Sequence, residues 1–152
     1  MEAPPLWYEP RACFVTLRIE GELRGCCGTF DASQPLLMNV ASSAYRTAFD
    51  DPRFPPVTRA ELSLLEVEIS LLGRSRPFRV ASRQDLLAQL APGIDGLILS
   101  EGQRRATFLP AVWESLPEPA DFVDALFQKA GLPTQHWSPD LRFERYTASK
   151  AF

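Results

Sequence analysis

The chain has 152 residues, of which 45% are hydrophobic and 23% are charged, and its formal net charge at pH 7 is −3. This composition is ordinary for a globular domain, and the acidic balance argues against a general nucleic-acid-binding protein. No apolar run approaches the roughly 20 residues that a membrane-spanning helix needs, and the opening MEAPPLWYEP lacks both the basic and the apolar region of a signal peptide.

The first third of the chain is expected to contain a β-hairpin and a helix. Residues 1–10 hold three prolines and are predicted to be extended. Alternation predicts a strand over Cys13–Ile19, and the Glu20-Gly21 turn returns the chain as a second strand, Glu22–Phe30. Residues 35–49 have apolar side chains at helical spacing. The predicted core face of that helix carries Leu36, Val40, Ala44 and Ala48.

A proline-rich loop and a strong strand follow. Residues 50–58, DDPRFPPVT, are predicted to form a rigid loop, because three prolines remove backbone donors and fix φ. Residues 64–72 show the clearest strand alternation of the chain. The predicted core face carries Leu65, Val67, Ile69 and Leu71, and the opposite face carries Glu66, Glu68 and Ser70.

The second half is expected to contain a second hairpin, three helices and a final strand. The stretches IEGELRG and SEGQRRA resemble each other, and each lies in a hairpin that precedes a proline-started helix, which raises the hypothesis of an internal repeat. The predicted elements are a helix around Asp85–Leu90, the strands Leu97–Leu99 and Arg105–Leu109, a short helix from Pro110, a helix over Ala120–Lys129 and a strand over Leu141–Tyr146.

Short blocks along the chain resemble the AMMECR family. LRGCCG, Leu23–Gly28, resembles the family's Leu-Arg-Gly-Cys-Ile/Val-Gly hallmark, and blocks such as DPRFPP, LEVEIS and FLP extend the likeness over residues 11–146. The resemblance implies one α+β domain over residues 1–152, with two related β-and-α units sharing one curved, barrel-like sheet. The chain departs from the family pattern at Cys27, usually a branched aliphatic, at Ala111, usually polar, and in lacking the helix that precedes the first strand.

The resemblance implies partners more readily than a reaction, because the family has no established activity. It is similar to component A of the prokaryotic AmmeMemoRadiSam association, so Memo-type and radical-SAM-type proteins are candidate partners. We also expect a homodimer formed through the surface where the family's first helix would lie. No cofactor, nucleic acid or membrane contact is expected. The odd number of cysteines favours a cytoplasmic protein with reduced thiols.

The adjacent cysteines of LRGCCG are predicted to have different environments. Neighbouring side chains of a regular strand point to opposite faces. If Leu23 faces the core, Cys27 also faces the core, and Cys26 lies on the face of Arg24. An arginine beside a thiol favours the thiolate, which is the nucleophilic form. A half-buried Cys26 with a packing role is the alternative.

Histidine and metal chemistry are not favoured. His136 is the single histidine, and the family likeness at that point depends on Trp137, so a Cys26–His136 pair is a weak hypothesis. A zinc site would have to combine all three cysteines with His136, yet adjacent thiols on opposite strand faces cannot converge on one ion. We therefore expect no metal site.

Two functions stay open from the sequence. The favoured one is a binding module that recognises a small anionic ligand or a protein partner in a cleft near the LRGCCG strand. The alternative is an enzyme in which Cys26 is the thiolate nucleophile and Glu68 is the acid or base. The binding module is favoured because no base, metal cluster or phosphate-binding loop accompanies the thiol. Its predicted binding residues are Arg24, Gly25, Gly28, Arg53 and Ser70.

Overall fold

The computed structural model describes residues 5–150 and shows helices and antiparallel strands in mixed order. None of the helices described is both long and apolar enough to cross a membrane. The first elements are α1 Pro5–Tyr8, β1 Cys13–Ile19, β2 Glu22–Thr29, α2 Leu36–Phe49, a 3₁₀ helix Arg59–Leu64 and β3 Leu65–Leu72. The remaining elements are β4 Arg76–Pro77, α3 Arg83–Gln89, β5 Gly96–Glu101, β6 Arg104–Phe108, a 3₁₀ helix Pro110–Glu114, α4 Pro119–Lys129, β7 Arg142–Tyr146 and β8 Ala148–Lys150.

The strands form two four-stranded sheets, in the orders β2-β1-β3-β8 and β4-β7-β5-β6. The α+β class is confirmed. The prediction of one shared, barrel-like sheet is not confirmed, because none of the strands within residues 5–150 belongs to both sheets. The chain divides into two compact units, residues 5–72 with 149–150 and Gly73–Ala148. Each contains a hairpin followed by a proline-started helix. The assignment of residues 1–152 to one domain stays a prediction.

In the first unit, α2 packs against β1 and β2 through small and polar side chains. Buried Thr47 donates a hydrogen bond to the carbonyl of Val15, and buried Asn39 donates to the carbonyls of Arg11 and Asp31. Polar side chains can occupy this face because their hydrogen bonds are satisfied there. The predicted apolar core face of α2 is therefore wrong beyond its first residue. The fully buried positions are Leu36, Asn39, Ser43 and Thr47, and Val40, Ala44 and Ala48 are only half-buried.

The segment before β1 is not extended throughout. Pro5–Tyr8 forms one helical turn, which corrects the prediction of an extended lead-in for these residues. Proline is compatible with the first turn of a helix, since the N–H that it lacks has no partner there. Leu6 and Trp7 pack against the small core of Cys13, Leu36 and Leu71, which holds the turn in place. Residues 1–4 lie outside the described residues.

A bulge interrupts the pairing of β1 with β2. Leu17 lies opposite Gly25, but Arg18 lies opposite Leu23, so Arg24 is the extra residue. The bulge changes the side-chain parity at the start of β2, and Leu23 is exposed where the sequence predicted a core position. Val67 on β3 is also exposed although alternation placed it in the core, because α2 covers β1 and β2 rather than the start of β3.

The core of the second unit is aromatic. Trp113 stacks on Phe122 with ring centroids 3.8 Å apart, and its indole N–H donates to the carbonyl of Asp95 at 2.7 Å. Ser82 caps α3 by accepting the N–H of Asp85, as is typical of helix N-termini. Gly131 follows α4 with a φ of 77°, a conformation that favours glycine after a helix. These local signals explain why the helices of this unit end near their expected residues.

Candidate functional site

Cys26, the candidate nucleophile, lies in a row with Thr16 and Glu68 on one face of the sheet β2-β1-β3-β8. Cys26 is opposite Thr16, and Thr16 is opposite Glu68. The Thr16 hydroxyl donates to Cys26 Sγ at 3.5 Å. Cys26 and Glu68 are two strands apart, roughly 10 Å by strand spacing, too far for direct proton transfer. Glu68 also lies 3.7 Å from the Arg18 guanidinium and 3.9 Å from the Lys150 ammonium.

Arg24 forms a two-pronged ion pair with Glu61, a residue of the 3₁₀ helix. Its Nε and Nη2 donate to the two carboxylate oxygens at 2.8 and 3.0 Å, and Nη2 also donates to the carbonyl of Pro55 at 2.8 Å. The side chain of Arg24 is only 11% exposed. Hydrogen bonds from Arg24 and from Thr58 lower the pKa of Glu61 to about 2. Glu61 therefore balances the charge of Arg24 within the protein, while Nη1 of Arg24 is buried without a hydrogen-bond partner among the described residues.

Asp51 joins the proline-rich loop to the backbone of β2. One carboxylate oxygen accepts the N–H of Cys26 at 3.1 Å, and the Arg53 side chain donates to both oxygens at 2.8 and 3.1 Å. These bonds, led by those from the Arg53 side chain, lower the pKa of Asp51 to about 2. Arg53 Nη2 also reaches the carbonyl of Cys26 at 3.5 Å. The N–H and the carbonyl of Cys26 are thus both hydrogen-bonded to side chains of the loop, the N–H to Asp51 and the carbonyl to Arg53.

Phe54 lies between the two arginines. Its ring centroid is 5.9 Å from the Arg24 guanidinium carbon and 5.5 Å from that of Arg53, distances at which cation–π attraction operates. We call the set Arg24, Asp51, Arg53, Phe54 and Glu61 the arginine–carboxylate cluster. It fastens the DPRFPP loop to the LRGCCG strand, so the two motifs form one structural feature.

The two glycines of LRGCCG are sites of close approach by the chain itself. A Cβ atom at Gly25 would lie 2.6 Å from the carbonyl oxygen of Thr47 on α2. One at Gly28 would lie 2.4 Å from both the carbonyl oxygen of Cys13 and the ring of Phe14. Ser70 lies opposite Phe14 on β3. The absence of a side chain at Gly25 and Gly28 thus allows the protein's own atoms to approach these two residues closely.

The three cysteines form no disulfide bond and differ in environment. Cys13 is fully buried, and burial raises the pKa of its thiol. Cys27 lies opposite Val15 on the α2 side of the sheet, where burial and the charge of Asp51 raise the pKa of its thiol. Cys26 occupies the opposite face, beside Thr16. The two neighbouring thiols therefore lie on opposite faces of the strand, as predicted, but Cys27 is only half-buried and Leu23, from which its core position was argued, is exposed.

His136 belongs to a polar groove in the second unit. Its Nε2 is 2.7 Å from Glu101 Oε2, and the Ser138 hydroxyl donates to the same oxygen at 2.7 Å. These contacts lower the pKa of Glu101. The groove is lined also by Arg104 and Arg142. Within residues 5–150, no group of three or more His, Cys, Asp or Glu side chains is arranged to hold a metal ion.

Sequence reasoning missed Asp51 and Glu61 as partners of the arginines. Glu61, the partner of Arg24, comes from the 3₁₀ helix that precedes β3. A signal was present: Thr58 and Glu61 have the spacing of a capping box, and the structure contains one there. Asp51 precedes a proline and binds the N–H of Arg53, a common use of aspartate in turns. Neither signal identifies the long-range partner.

These features define an α+β protein in which the edge strand β2 is hydrogen-bonded to a proline-rich loop. The chain belongs to the AMMECR1 family, whose model matches residues 1–151. A protein of Methanothermobacter thermautotrophicus is 35% identical over 153 residues, covering 97% of this chain and 78% of the relative. A protein of Thermotoga maritima is 34% identical over 143 residues, covering 90% of this chain and 75% of the relative.

A solved structure has the same fold. The crystal structure of the uncharacterized protein PH0010 from Pyrococcus horikoshii matches this chain with a TM-score of 0.91 at 31% sequence identity. The match covers 98% of this chain and 76% of that one. The α+β class and the family predicted from LRGCCG and its companion blocks are both confirmed.

Proposed function

We propose that the protein is a binding module for a protein partner, which it contacts through exposed leucines beside the Arg24–Glu61 ion pair. Leu23 directly precedes Arg24, and Leu62 directly follows Glu61; both leucines are exposed, as is Leu64. Exposed apolar side chains next to a fixed polar contact are typical of protein–protein interfaces. The exposure of leucines that adjoin the two ion-paired residues in the chain is the observation that carries the proposal.

A protein partner fits the cluster better than a small anion does. Glu61 already accepts hydrogen bonds from Nε and Nη2 of Arg24, and Asp51 accepts hydrogen bonds from Nε and Nη2 of Arg53. An anion would have to displace a carboxylate that is covalently part of the chain and already positioned. Only Arg53, whose side chain is 56% exposed, keeps a surface from which a partner can accept further hydrogen bonds.

The partners implied by the family resemblance provide the test. Purified wild-type protein is titrated calorimetrically against Memo-type and radical-SAM-type proteins from the same genome. Leu62→Arg, which introduces a charge at the exposed surface, is expected to weaken binding at least about tenfold. Ile94→Arg is the matched control, because Ile94 is equally exposed but lies in the second unit. Equal binding by wild type and Leu62→Arg contradicts the proposal, and so does the absence of binding to both proteins.

A thiol enzyme is the second candidate, favoured by one contact. The Thr16 hydroxyl donates to Cys26 Sγ at 3.5 Å, so a polar group is positioned at the sulfur atom. The test is the rate of iodoacetamide modification of Cys26 at pH 7, read by peptide mass spectrometry. A rate above that of an unstructured thiol, reduced in Thr16→Val, supports this candidate. A rate no higher than that of Cys27 eliminates it.

A further inference from the structure

The second unit contains a charged groove that the proposed function does not use. The groove has a volume of about 770 Å³ and is lined by the turn between β5 and β6 and by the loop before β7. Its charged or titratable side chains are Glu101, Arg104, His136, Asp140 and Arg142. With His136 neutral, two positive charges balance two negative ones. A simple anion or a simple cation would therefore meet like charges as well as opposite ones, which disfavours both.

The two arginines of the groove flank the same end of β5. Arg104 on β6 lies opposite Glu101, and Arg142 on β7 lies opposite the neighbouring Ser100. Their backbones are therefore two strands apart, roughly 10 Å by strand spacing. Asp140 precedes Arg142 by two residues and belongs to the β7 side of the groove. Arg104 and Asp140 thus provide opposite charges on the two sides of the groove.

Each of the two guanidinium groups is held in place by backbone carbonyls through Nη1 alone. Arg104 Nη1 donates to the carbonyl of Gly131 at 2.6 Å. Arg142 Nη1 donates to the carbonyls of Pro139 and Leu141 at 2.7 and 3.0 Å. Within residues 5–150, Nε and Nη2 of both arginines have no hydrogen-bond partner. These two nitrogens are a pair with which arginine binds both oxygens of a carboxylate.

The first unit of the same protein shows how such donors bind a carboxylate. Nε and Nη2 of Arg24 donate to the two carboxylate oxygens of Glu61 at 2.8 and 3.0 Å. Asp140 is the corresponding acceptor for a cation, because its side chain is exposed and its carboxylate has no hydrogen-bond or ion-pair partner among residues 5–150. Glu101 is less available, because Ser138 already donates to its Oε2.

We propose that the groove binds a small zwitterion of dipeptide size. Its carboxylate accepts hydrogen bonds from Nε and Nη2 of Arg104, its ammonium group pairs with Asp140, and its peptide carbonyl accepts a hydrogen bond from Arg142. Two extended residues span about 7 Å, which fits between side chains that extend inward from backbones roughly 10 Å apart. The leucines of the proposed function belong to the first unit, so the two proposals can fail independently.

The experiment is an NMR titration of the isotope-labelled protein with alanyl-alanine, with its N-acetyl form and with its C-terminal amide. Each of the two derivatives lacks one charge of the zwitterion. We expect the dipeptide to shift the backbone amide signals of the groove with a dissociation constant in the millimolar range. Each derivative should bind at least about tenfold more weakly, because it loses a charge-assisted hydrogen bond.

Three variants identify the groups that read each charge. Arg104→Gln should bind the dipeptide and its amide equally, because the ligand carboxylate has lost its donors. Asp140→Asn should bind the dipeptide and its N-acetyl form equally. Arg142→Gln should weaken the binding of all three ligands by a similar factor, because each of them keeps the peptide carbonyl.

Arg79→Gln is the matched control, since Arg79 is an exposed arginine of the same unit that does not line the groove. The amide spectrum of each variant verifies its fold. The absence of saturable shifts in the groove up to about 10 mM dipeptide, where a millimolar site is nearly full, overturns the proposal. Equal affinity of the wild type for the dipeptide and for both derivatives also overturns it, because the charges are then not recognised. Wild-type discrimination by Arg104→Gln or Asp140→Asn has the same meaning.

Discussion

Asp51 and Cys26 are 25 residues apart in the chain, yet a carboxylate oxygen of Asp51 accepts the backbone N–H of Cys26 at 3.1 Å. The side chain of Asp51 is almost fully buried, at 3% exposure, and Arg53 holds it from the other side. A single carboxylate thus connects the proline-rich loop, its own arginine and the candidate strand. The first prediction tests this connection.

We expect Asp51→Asn to lower the free energy of unfolding by about 1.5–3 kcal/mol, the range for hydrogen bonds to charged groups. Part of the ion-pair contribution is screened, because Arg53 is more than half exposed. Asp50→Asn is the matched control, since Asp50 is an exposed neighbour with the same side chain. Urea denaturation followed by circular dichroism measures both variants. Equal stabilities for the two variants would show that Asp51 is not a structural anchor.

Stability should fall steeply in acid. The pKa of Asp51 is lowered from 3.8 to about 2, and that of Glu61 is lowered from 4.5 to about 2. Because the folded protein binds these protons less tightly than the unfolded chain, the stabilisation is complete above the unfolded values and is lost as the pH falls toward 2. Unfolding midpoints between pH 6 and pH 2 measure this. Glu61→Gln should flatten the profile, and a profile parallel to wild type contradicts the assignment of the Arg24–Glu61 pair.

Gly25→Ala is expected to lower the stability of the folded protein, because it disturbs the packing of α2 on β2. The added Cβ would lie 2.6 Å from the carbonyl oxygen of Thr47, a backbone atom that cannot rotate away. Overpacking of this kind costs about 1–3 kcal/mol. Gly21→Ala is the comparison, because its Cβ meets no atom within 4 Å and its cost comes from the φ of +80° alone. Thermal unfolding of both variants measures the difference, and a smaller loss for Gly25→Ala than for Gly21→Ala is the contradicting result.

Cys13 and Cys27 should both be less reactive than an ordinary thiol in the folded protein. Cys13 is fully buried and its pKa is raised by burial, so we expect no alkylation of Cys13 in the folded protein. Cys27, whose pKa is also raised, should react only at a pH above that of an ordinary thiol. Peptide mass spectrometry after timed alkylation resolves each cysteine. Labelling of Cys13 at the same rate in water and in urea would falsify its assignment to the core.

The fold was largely predictable, because its signals are local. Alternation over Cys13–Ile19 and the Glu20-Gly21 turn predict the first hairpin, and the structure places a strand and a turn with φ values of 52° and 80° there. The position of the bulge at Arg24 was not predictable, since strand alternation alone carries no signal for an extra residue. As a consequence, Leu23 is exposed and not in the core.

The candidate site was less predictable, because its contacts are long-range. The sequence identified Arg24 and Arg53 but not the carboxylates that bind them, and pairing of residues 37 positions apart leaves no periodic signal. The buried face of α2 was mispredicted for a related reason. Asn39 and Thr47 are polar by composition, and only the tertiary structure provides the carbonyl groups that allow them to be buried.

The outer position of β2 has a consequence for the protein at high concentration. A strand at the edge of a sheet offers free backbone groups on which another chain can add a strand and begin aggregation. Here Asp51 and Arg53 bind the edge groups of Cys26, and Arg46 binds the carbonyl of Gly28. The side chains of the loop and of α2 thereby act as a protective cover for an uncharged stretch, CCGTF. We therefore expect the loss of the Arg46, Asp51 and Arg53 side chains to expose these edge groups and to increase aggregation at high protein concentration.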